Sequence, residues 1–230
     1  YWGWMTSIHT AVIRTAINFG LSLIFYGEDG EVEYGGSSET ENKSLISIEY
    51  QKKIWLENGY NQILKKIPKN LKKHVKFWTY PDNKDIKKTS CYTTTMSYFE
   101  PWDSYRNYLV AKKYVGLKER LITSGGTFTN FAQNDQQLYA LHTYLMYLKF
   151  GFGRATQDAG IEIRRGAMSR RQAINLVNLY DNIFPEEFVQ NYCDYYKMSK
   201  SHFYKVIDKW ANKKLFSKKG GSWQPRFKII

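Results

Sequence analysis

The sequence is poor in cysteine, in proline and in long hydrophobic runs, and these shortages exclude several classes of protein. Of its 230 residues, 2 are cysteines and 5 are prolines. The one available pair, Cys91 with Cys193, cannot provide the disulfide framework of a small secreted domain, which indicates a reducing compartment. No apolar run reaches the roughly 20 residues of a transmembrane helix, so we predict no membrane span. We therefore predict a cytoplasmic protein.

Histidine and cysteine, the usual ligands of zinc, are equally scarce. The 4 histidines and 2 cysteines do not show the spacing of zinc ligands. We predict no metal site among them.

Positive charge, by contrast, is abundant. Lysine and arginine number 34 against 21 acidic residues, which leaves a net charge of +13, and 17% of the residues are aromatic. Such a composition is compatible with nucleic-acid binding. The lysines are spread along the whole chain, however, and no helix-turn-helix, RNA-recognition or zinc-finger signature accompanies them. We attribute the charge to compositional bias and predict no nucleic-acid partner.

The first half of the chain shows the alternation of an α/β fold. Apolar residues recur at helical spacing from Met5 to Phe19, and a short continuous apolar run follows at Leu21–Tyr26. Such a run predicts a strand buried on both faces, as in a parallel sheet. Two or three short helices are predicted over residues 45–73, and a second strand from Thr89 to Phe99.

The second half is predicted to be mainly helical. We expect Pro101 to open a helix that continues over residues 102–114, and a weak capping box at Asn130 and Gln133 to precede a long helix over residues 131–149. Three further helices are expected to begin at Ser169, Pro185 and Ser199. The predicted domains are an α/β domain at residues 1–130 and a helical region at residues 131–230.

An acidic cluster follows the first predicted strand. Glu28, Asp29, Glu31 and Glu33 come directly after the apolar run. In open α/β sheets ligands bind at the carboxyl ends of the strands, where carboxylates hold Mg²⁺ or accept hydrogen bonds from sugar hydroxyls. The pattern fits a solvated loop equally well.

A second cluster combines arginines with carboxylates. Arg154, Asp158 and Glu162 recur every four residues, which places them on one face of a helix, and Arg164 and Arg165 follow near its end. The arginine side chain presents a fixed fork of donors that suits phosphate or carboxylate. The alternative is a ladder of surface salt bridges worth a few tenths of a kcal/mol per pair, and the pattern alone slightly favours this alternative.

One glycine-rich motif does not meet the requirements of a phosphate-binding loop. Ser124-Gly125-Gly126-Thr127 is similar to the phosphate-binding loop of ATP pyrophosphatases, but Phe128 stands where that loop needs aspartate. The charged stretch Lys118-Glu119-Arg120 precedes it where a buried strand is required.

Three stretches together resemble a known family, and the third is the most specific. The first is Phe25-Tyr26-Gly27-Glu28 followed by Glu33-Tyr34-Gly35-Gly36. The second is Pro101-Trp102-Asp103-Ser104-Tyr105-Arg106-Asn107 with Val110-Ala111-Lys112-Lys113. The third is Lys149-Phe150-Gly151-Phe152-Gly153-Arg154 with Asp158, Glu162-Ile163-Arg164, Gly166 and Met168-Ser169-Arg170. The chain resembles the N-acetyl sugar amidotransferases of bacterial surface-polysaccharide biosynthesis, in the PP-loop ATP-pyrophosphatase superfamily.

The resemblance implies a fold, a reaction and partners. The implied fold is part of an adenine-nucleotide-α-hydrolase-like (Rossmann-like) parallel sheet followed by a helical C-terminal region. The implied reaction is the ATP-dependent conversion of an acetamido group on a nucleotide-linked sugar to an acetamidino group, in lipopolysaccharide, O-antigen or related glycan biosynthesis. ATP and Mg²⁺ are the implied cofactors, and a separate glutaminase subunit would supply ammonia.

The resemblance also suggests roles for individual residues. Glu28, a member of the predicted catalytic set, and Glu33 would contact Mg²⁺ or substrate, and Tyr34 would stack on a sugar ring or a base. Trp102, Asp103 and Arg106 would shape the sugar-nucleotide pocket. The catalytic set on the later helix would neutralise phosphate and orient the acceptor amide, and it comprises Arg154, Asp158, Glu162 and Arg164. We expect the acidic groups after the first strand and these arginines to face one another around a phosphate-bearing ligand.

The chain departs from the family pattern in one respect. Family members carry upstream a Ser-Gly-Gly-x-Asp-Ser phosphate loop and cysteine pairs that look zinc-binding, and the 230 residues contain neither. The sequence opens on Tyr1-Trp2-Gly3-Trp4 and passes at once into a helical pattern. We therefore predict that it is the C-terminal part of a longer or split protein, with no ATP-pyrophosphatase activity alone. The alternative is a non-catalytic module that binds a sugar nucleotide or docks a glutaminase.

Overall fold

The computed structural model of the protein describes residues 2–28, 38–56, 64–134 and 136–230. The chain divides into an N-terminal unit, Tyr1–Trp102, and a C-terminal unit, Asp103–Ile230. The described residues form a mixed α/β structure that is mostly helical, with one small sheet in each unit. The predicted domain boundary at residue 130 stays a prediction. Among the described helices, none combines the length and the apolarity needed to cross a bilayer.

The N-terminal unit contains short strands set among helices. Its helices are α1 (Trp2–Asn18), α2 (Ile48–Leu56), α3 (Asn83–Thr89) and α4 (Met96–Phe99), with a 3₁₀ helix at Lys69–Trp78. Its strands are β1 (Leu23–Tyr26), β2 (Ile46–Ser47) and β3 (Tyr92–Thr95). Its buried core draws on both helices and strands and comprises Ile13, Ala16, Ile24, Ile48, Tyr80, Ile86 and Cys91.

The sheet of this unit is mixed, which corrects the expectation of a parallel sheet. The strand order is β1-β3-β2. β1 pairs with β3 in parallel, with Leu23 opposite Tyr92, whereas β2 pairs with β3 in antiparallel. Among the described strands of this unit, the β1–β3 pair alone has the predicted parallel arrangement. β2 is two residues long and leads directly into α2, so it reaches β3 without the long crossover that a parallel strand needs.

β1 is buried on one face, not on both as the continuous apolar run predicted. Leu23 is 48% exposed and Phe25 is 54% exposed, whereas Ile24 between them is only 7% exposed. This alternation is the two-residue period of a strand with one face against a core. The predicted second strand is also shorter than expected, because α3 occupies its start and α4 its end.

The C-terminal unit contains six α-helices among its described elements and ends in a β-hairpin. The helices are α5 (Ser104–Val115), α6 (Leu138–Phe150), α7 (Arg154–Arg164), α8 (Arg170–Tyr180), α9 (Val189–Tyr196) and α10 (Lys200–Trp210), with a 3₁₀ turn at Glu186–Phe188. The hairpin strands are β4 (Phe216–Lys219) and β5 (Ser222–Pro225). Its main core joins α6, α9, α10 and the hairpin through residues that include Leu148, Tyr192, Cys193, Phe203 and Phe216.

Two helix starts follow the predicted capping chemistry. The Ser169 hydroxyl accepts from the Gln172 backbone N–H, and the Gln172 side chain accepts from the Ser169 N–H, which forms a capping box before α8. The Ser199 hydroxyl accepts from the His202 N–H at 3.2 Å and caps α10.

Two other predicted helix starts are wrong. α5 begins at Ser104 and not at Pro101, because the Asp103 carboxylate accepts from the Arg106 N–H at 2.9 Å and makes Asp103 the N-cap. α6 begins at Leu138 and not at residue 131. Gln133 has a φ of +52°, a left-handed conformation that a right-handed helix cannot include.

The terminal hairpin was not predicted, although its signal is present in the sequence. β4 and β5 pair in antiparallel with Lys219 opposite Ser222. The two residues between them are glycines with positive φ, +55° at Gly220 and +86° at Gly221. Two-residue hairpin turns that need positive φ at both positions favour glycine. The Gly-Gly pair is therefore a turn signal within the basic C-terminal tail.

Candidate functional site

The predicted acidic cluster is described only at its first residue. Glu28 follows β1 and is exposed, whereas Asp29, Glu31, Glu33 and Tyr34 lie outside the described residues. Next to it, burial lowers the pKa of His9, and the negative charge of Glu28 acts in the opposite direction. Burial together with Glu28 raises the pKa of Tyr26 to about 12. Within the described ranges no three His, Cys, Asp or Glu side chains cluster as metal ligands would. The expectation that the acidic cluster contacts Mg²⁺ stays a prediction.

A buried carboxylate that the sequence analysis missed organises the start of α7. Asp181, 4% exposed, accepts from the Gly153 N–H at 2.9 Å and from the Thr156 N–H at 3.2 Å. The Thr156 hydroxyl donates to the same carboxylate. Burial raises the pKa of Asp181, and these hydrogen bonds act against that shift. Asp181 thus caps the N-terminus of α7 from a distant part of the chain, whereas the N-cap residue itself is Gly153.

The cap explains the second glycine of Gly151-Phe152-Gly153. A Cβ atom on Gly153 would lie 2.8 Å from Asp181 Oδ1, closer than real Cβ contacts come. The first turn of a helix is a natural site for a bound anion, because its N–H groups lack partners within the helix. In α7 the protein's own carboxylate uses part of this turn.

Arg154 and Asp158 come together on α7, as their spacing predicted, but in a buried setting. Arg154 Nε lies 2.8 Å from Asp158 Oδ1, and the two side chains are only 15% and 11% exposed. Arg154 Nη1 also donates to the Tyr139 hydroxyl at 3.1 Å, and the Thr127 hydroxyl donates to Asp158 Oδ2. Burial raises the pKa of Asp158, and Arg154 and Thr127 oppose the shift. The pair is therefore not the solvated surface ladder of the alternative interpretation.

The rejected loop at residues 124–127 packs against this cluster. The Ala155 N–H donates to the Gly126 carbonyl at 2.9 Å, which fixes the loop to α7. Within the loop, the Thr127 N–H donates to the Ser124 carbonyl. A Cβ on Gly125 would lie 2.5 Å from the Cβ of Ala140 on α6. The glycines thus allow the loop to approach two helices closely.

Glu162 does not extend the Arg154–Asp158 pair. It binds Arg165, whose Nε lies 2.9 Å from Glu162 Oε2. Arg165 Nη1 in turn lies 3.1 Å from Asp103 Oδ2, so one arginine joins the end of α7 to the start of α5. Asp103, predicted to shape a sugar-nucleotide pocket, therefore caps a helix and forms an ion pair.

The remaining predicted residues occupy separate positions. Arg164 is the exposed last residue of α7, and the exposed Arg106 lies in the first turn of α5. Glu28 and Trp102 belong to the N-terminal unit and the arginines to the C-terminal unit. The expected meeting of acidic and basic groups around a ligand stays a prediction. So do the catalytic and binding roles of all these residues.

Comparison with known protein families gives a match that covers most of the C-terminal unit. Residues 125–228 match the family model described as LPS biosynthesis protein WbpG-like, C-terminal domain. We call residues 125–228 the WbpG-like region because they are similar to that family model. It extends from the glycine loop through α6 to α10 and the terminal hairpin, and it contains the buried clusters around Arg154 and Asp181. No curated protein matches the chain. The match links the WbpG-like region to lipopolysaccharide biosynthesis.

Proposed function

We propose that the protein acts in lipopolysaccharide biosynthesis as the C-terminal part of an ATP-dependent amidotransferase. Its substrate would be a nucleotide-linked sugar, and its product would carry an acetamidino group in place of an acetamido group. The supporting observation is that the WbpG-like region covers the most specific stretch of the family resemblance, from Lys149 to Arg170. The family match and the resemblance therefore agree on surface-polysaccharide biosynthesis.

The chemistry explains why such a reaction consumes ATP. An amide carbon is a poor electrophile, and its oxygen is a poor leaving group. Transfer of the adenylyl group of ATP to the amide oxygen releases pyrophosphate and gives an imidate that carries AMP. Ammonia then attacks the imidate carbon, the C–O bond breaks, AMP leaves and the attacking nitrogen loses its extra protons. The 230 residues contain no Ser-Gly-Gly-x-Asp-Ser loop, so the proposal requires a nucleotide site that other residues provide.

A direct assay tests the reaction. The chain joined to a segment with a Ser-Gly-Gly-x-Asp-Ser loop is incubated with ATP, Mg²⁺, ammonium chloride and UDP-N-acetylglucosamine or a related acetamido sugar nucleotide. We expect AMP release. We also expect a sugar product of slightly lower mass, because an NH group has replaced an oxygen atom. Ammonium chloride removes the need for a glutaminase. The chain alone serves as the control and is expected to release no AMP.

Failure of the assay would favour the second candidate, a non-catalytic module. The amidotransferase proposal is contradicted if the joined protein releases no AMP and changes no sugar mass with any of a panel of acetamido sugar nucleotides. The module would then be recognised by binding of a sugar nucleotide or of a glutaminase without turnover.

Arg164 offers a test of the predicted catalytic set. We expect Arg164→Ala in the joined protein to lower the rate roughly 100-fold, because a guanidinium that contacts developing charge stabilises the transition state strongly. Arg171→Ala, at another exposed arginine in the first turn of α8, is the matched control and should leave the rate unchanged. Equal rates for the two variants would reduce Arg164 to a surface residue.

A further inference from the structure

A polar cavity of about 410 Å³ lies in the C-terminal unit, and neither Arg154 nor Asp158 lines it. Its walls come from α6, the segment after α8, α10 and the terminal hairpin. Of the predicted site residues that the structure describes, none lines it. Its size is within the range of ordinary small-molecule sites, roughly 300–1,000 Å³.

One wall of the cavity contains a carboxylate that accepts hydrogen bonds from two side chains. Asp208 on α10 accepts from Lys218 Nζ at 2.6 Å and from Trp223 Nε1 at 3.0 Å. Both donors belong to the hairpin. The Lys218 charge is therefore balanced within the wall and is not available for a bound anion.

A second carboxylate lines the same cavity. Glu186 accepts from the Tyr204 hydroxyl at 3.0 Å. A carboxylate has about four lone-pair directions, so Glu186 retains capacity for further donors. Two carboxylates beside one paired lysine make the cavity unfavourable for phosphate.

A buried acceptor in the lining lacks a partner. Asn182 Nδ2 donates to the Trp223 carbonyl at 3.4 Å, whereas Asn182 Oδ1 is buried and accepts no hydrogen bond from any described residue. Leaving a buried acceptor unpaired costs about 1–3 kcal/mol. A donor on a molecule in the cavity would satisfy this oxygen.

Aromatic rings complete the lining. Phe184 lies between Tyr144 and Tyr204, with ring centroids 5.0 Å and 5.9 Å away. The cavity therefore combines apolar ring surface with hydrogen-bond acceptors, and the charge of its one lysine is balanced. A ligand with several hydroxyl or amide donors and apolar C–H faces matches this lining without a charge of its own, and an amine cation is the competing ligand class that Glu186 would attract.

We propose that this cavity binds an uncharged glycosyl unit with free hydroxyl or acetamido groups. Hydroxyl donors of the sugar pair with Asn182 Oδ1 and Glu186, and the C–H faces of the ring lie against the aromatic side chains. The proposal rests on the proposed function for the role of the sugar in lipopolysaccharide biosynthesis. Its test measures binding without ATP, so the site and the reaction can fail separately.

Saturation-transfer NMR on the whole chain tests the site, with N-acetylglucosamine as the neutral probe. We expect transfer to the sugar. Asn182→Leu removes one hydrogen-bond partner of the sugar, and Tyr204→Phe removes the hydroxyl that holds Glu186 in place, so we expect each variant to weaken the affinity roughly tenfold. Tyr204→Phe keeps the ring and removes one oxygen, so it also guards against a folding defect. Tyr195→Phe, at an exposed tyrosine of α9 outside the cavity lining, is the matched control and should bind as the original protein does.

The outcomes separate the possible ligand classes. Absence of transfer to N-acetylglucosamine overturns the proposal, and so does equal binding by all three variants. If inorganic phosphate competes for the cavity more strongly than the sugar, the cavity is an anion site and the proposal is wrong. If ethylenediamine competes more strongly, the cavity is a cation site and the proposal is likewise wrong. Sugar binding that the two cavity variants weaken supports the proposal even where the amidotransferase assay gives no product.

Discussion

Replacement of Asp181 by alanine is expected to destabilise the C-terminal unit by about 3 kcal/mol, one of the two largest effects that we expect from a single substitution. The variant leaves the Gly153 and Thr156 N–H groups and the Thr156 hydroxyl without the carboxylate that they bind. Unmade hydrogen bonds of buried donors cost more than the bonds themselves contribute. Urea unfolding measures the loss, and amide hydrogen exchange should show faster exchange in the first turn of α7.

Asp194→Ala provides the matched control. Asp194 is an exposed carboxylate on α9 that accepts a hydrogen bond from the Gln190 side chain at 2.9 Å. Its removal should change the free energy of unfolding by no more than about 0.5 kcal/mol, as is usual for surface substitutions. If both variants unfold at the same urea concentration, Asp181 does not cap α7.

The second large effect is expected at Gly125. Gly125→Ala should cost about 3 kcal/mol, because the new Cβ would lie 2.5 Å from the Cβ of Ala140 and 3.2 Å from its Cα. Ala140 has no side-chain rotamer with which to move aside and is 8% exposed in the first turn of α6. Relief of the clash therefore requires a shift of the loop or of the helix backbone. Urea unfolding of the whole chain measures the cost.

Gly160→Ala tests whether the cost comes from the close approach and not from loss of glycine as such. Gly160 lies within α7, and its added Cβ would meet only the end of the flexible Arg164 side chain, at 3.3 Å. Alanine is the better helix former by up to about 1 kcal/mol, so this variant should be as stable as the original protein or more stable. Destabilisation of both variants by the same amount would contradict the interpretation.

Local chemistry in the sequence predicted much of the helical half of the fold. The starts of α8 and α10 follow from Ser169 and Ser199, because a capping side chain acts within three residues of its own position. The start of α6 did not follow, since nothing local indicates the left-handed conformation of Gln133. The sheet could not be predicted in full, because the direction of β2 depends on its pairing with β3, a distant segment in which Thr93 lies opposite Ile46.

The candidate site shows the same division between near and distant partners. The contact between Arg154 and Asp158 followed from their spacing on one helix. Their burial did not, because it depends on Thr127 and Tyr139 from other segments. Asp181 was missed for the same reason, since it lies 28 residues from the N–H group of Gly153. The Gly-Gly pair of the hairpin is different, as its turn signal was local and was overlooked.

The positions of the two cysteines allow partial unfolding of each unit to be measured by thiol labelling. Cys91 lies in the core of the N-terminal unit and Cys193 in the main core of the C-terminal unit, and both are buried free thiols. Because a thiol shielded in this way reacts with a maleimide only when its surroundings open, each half of the chain carries one built-in label site. Mass spectrometry of peptides from a labelling time course can thus follow the opening of the two halves independently, with no introduced probe.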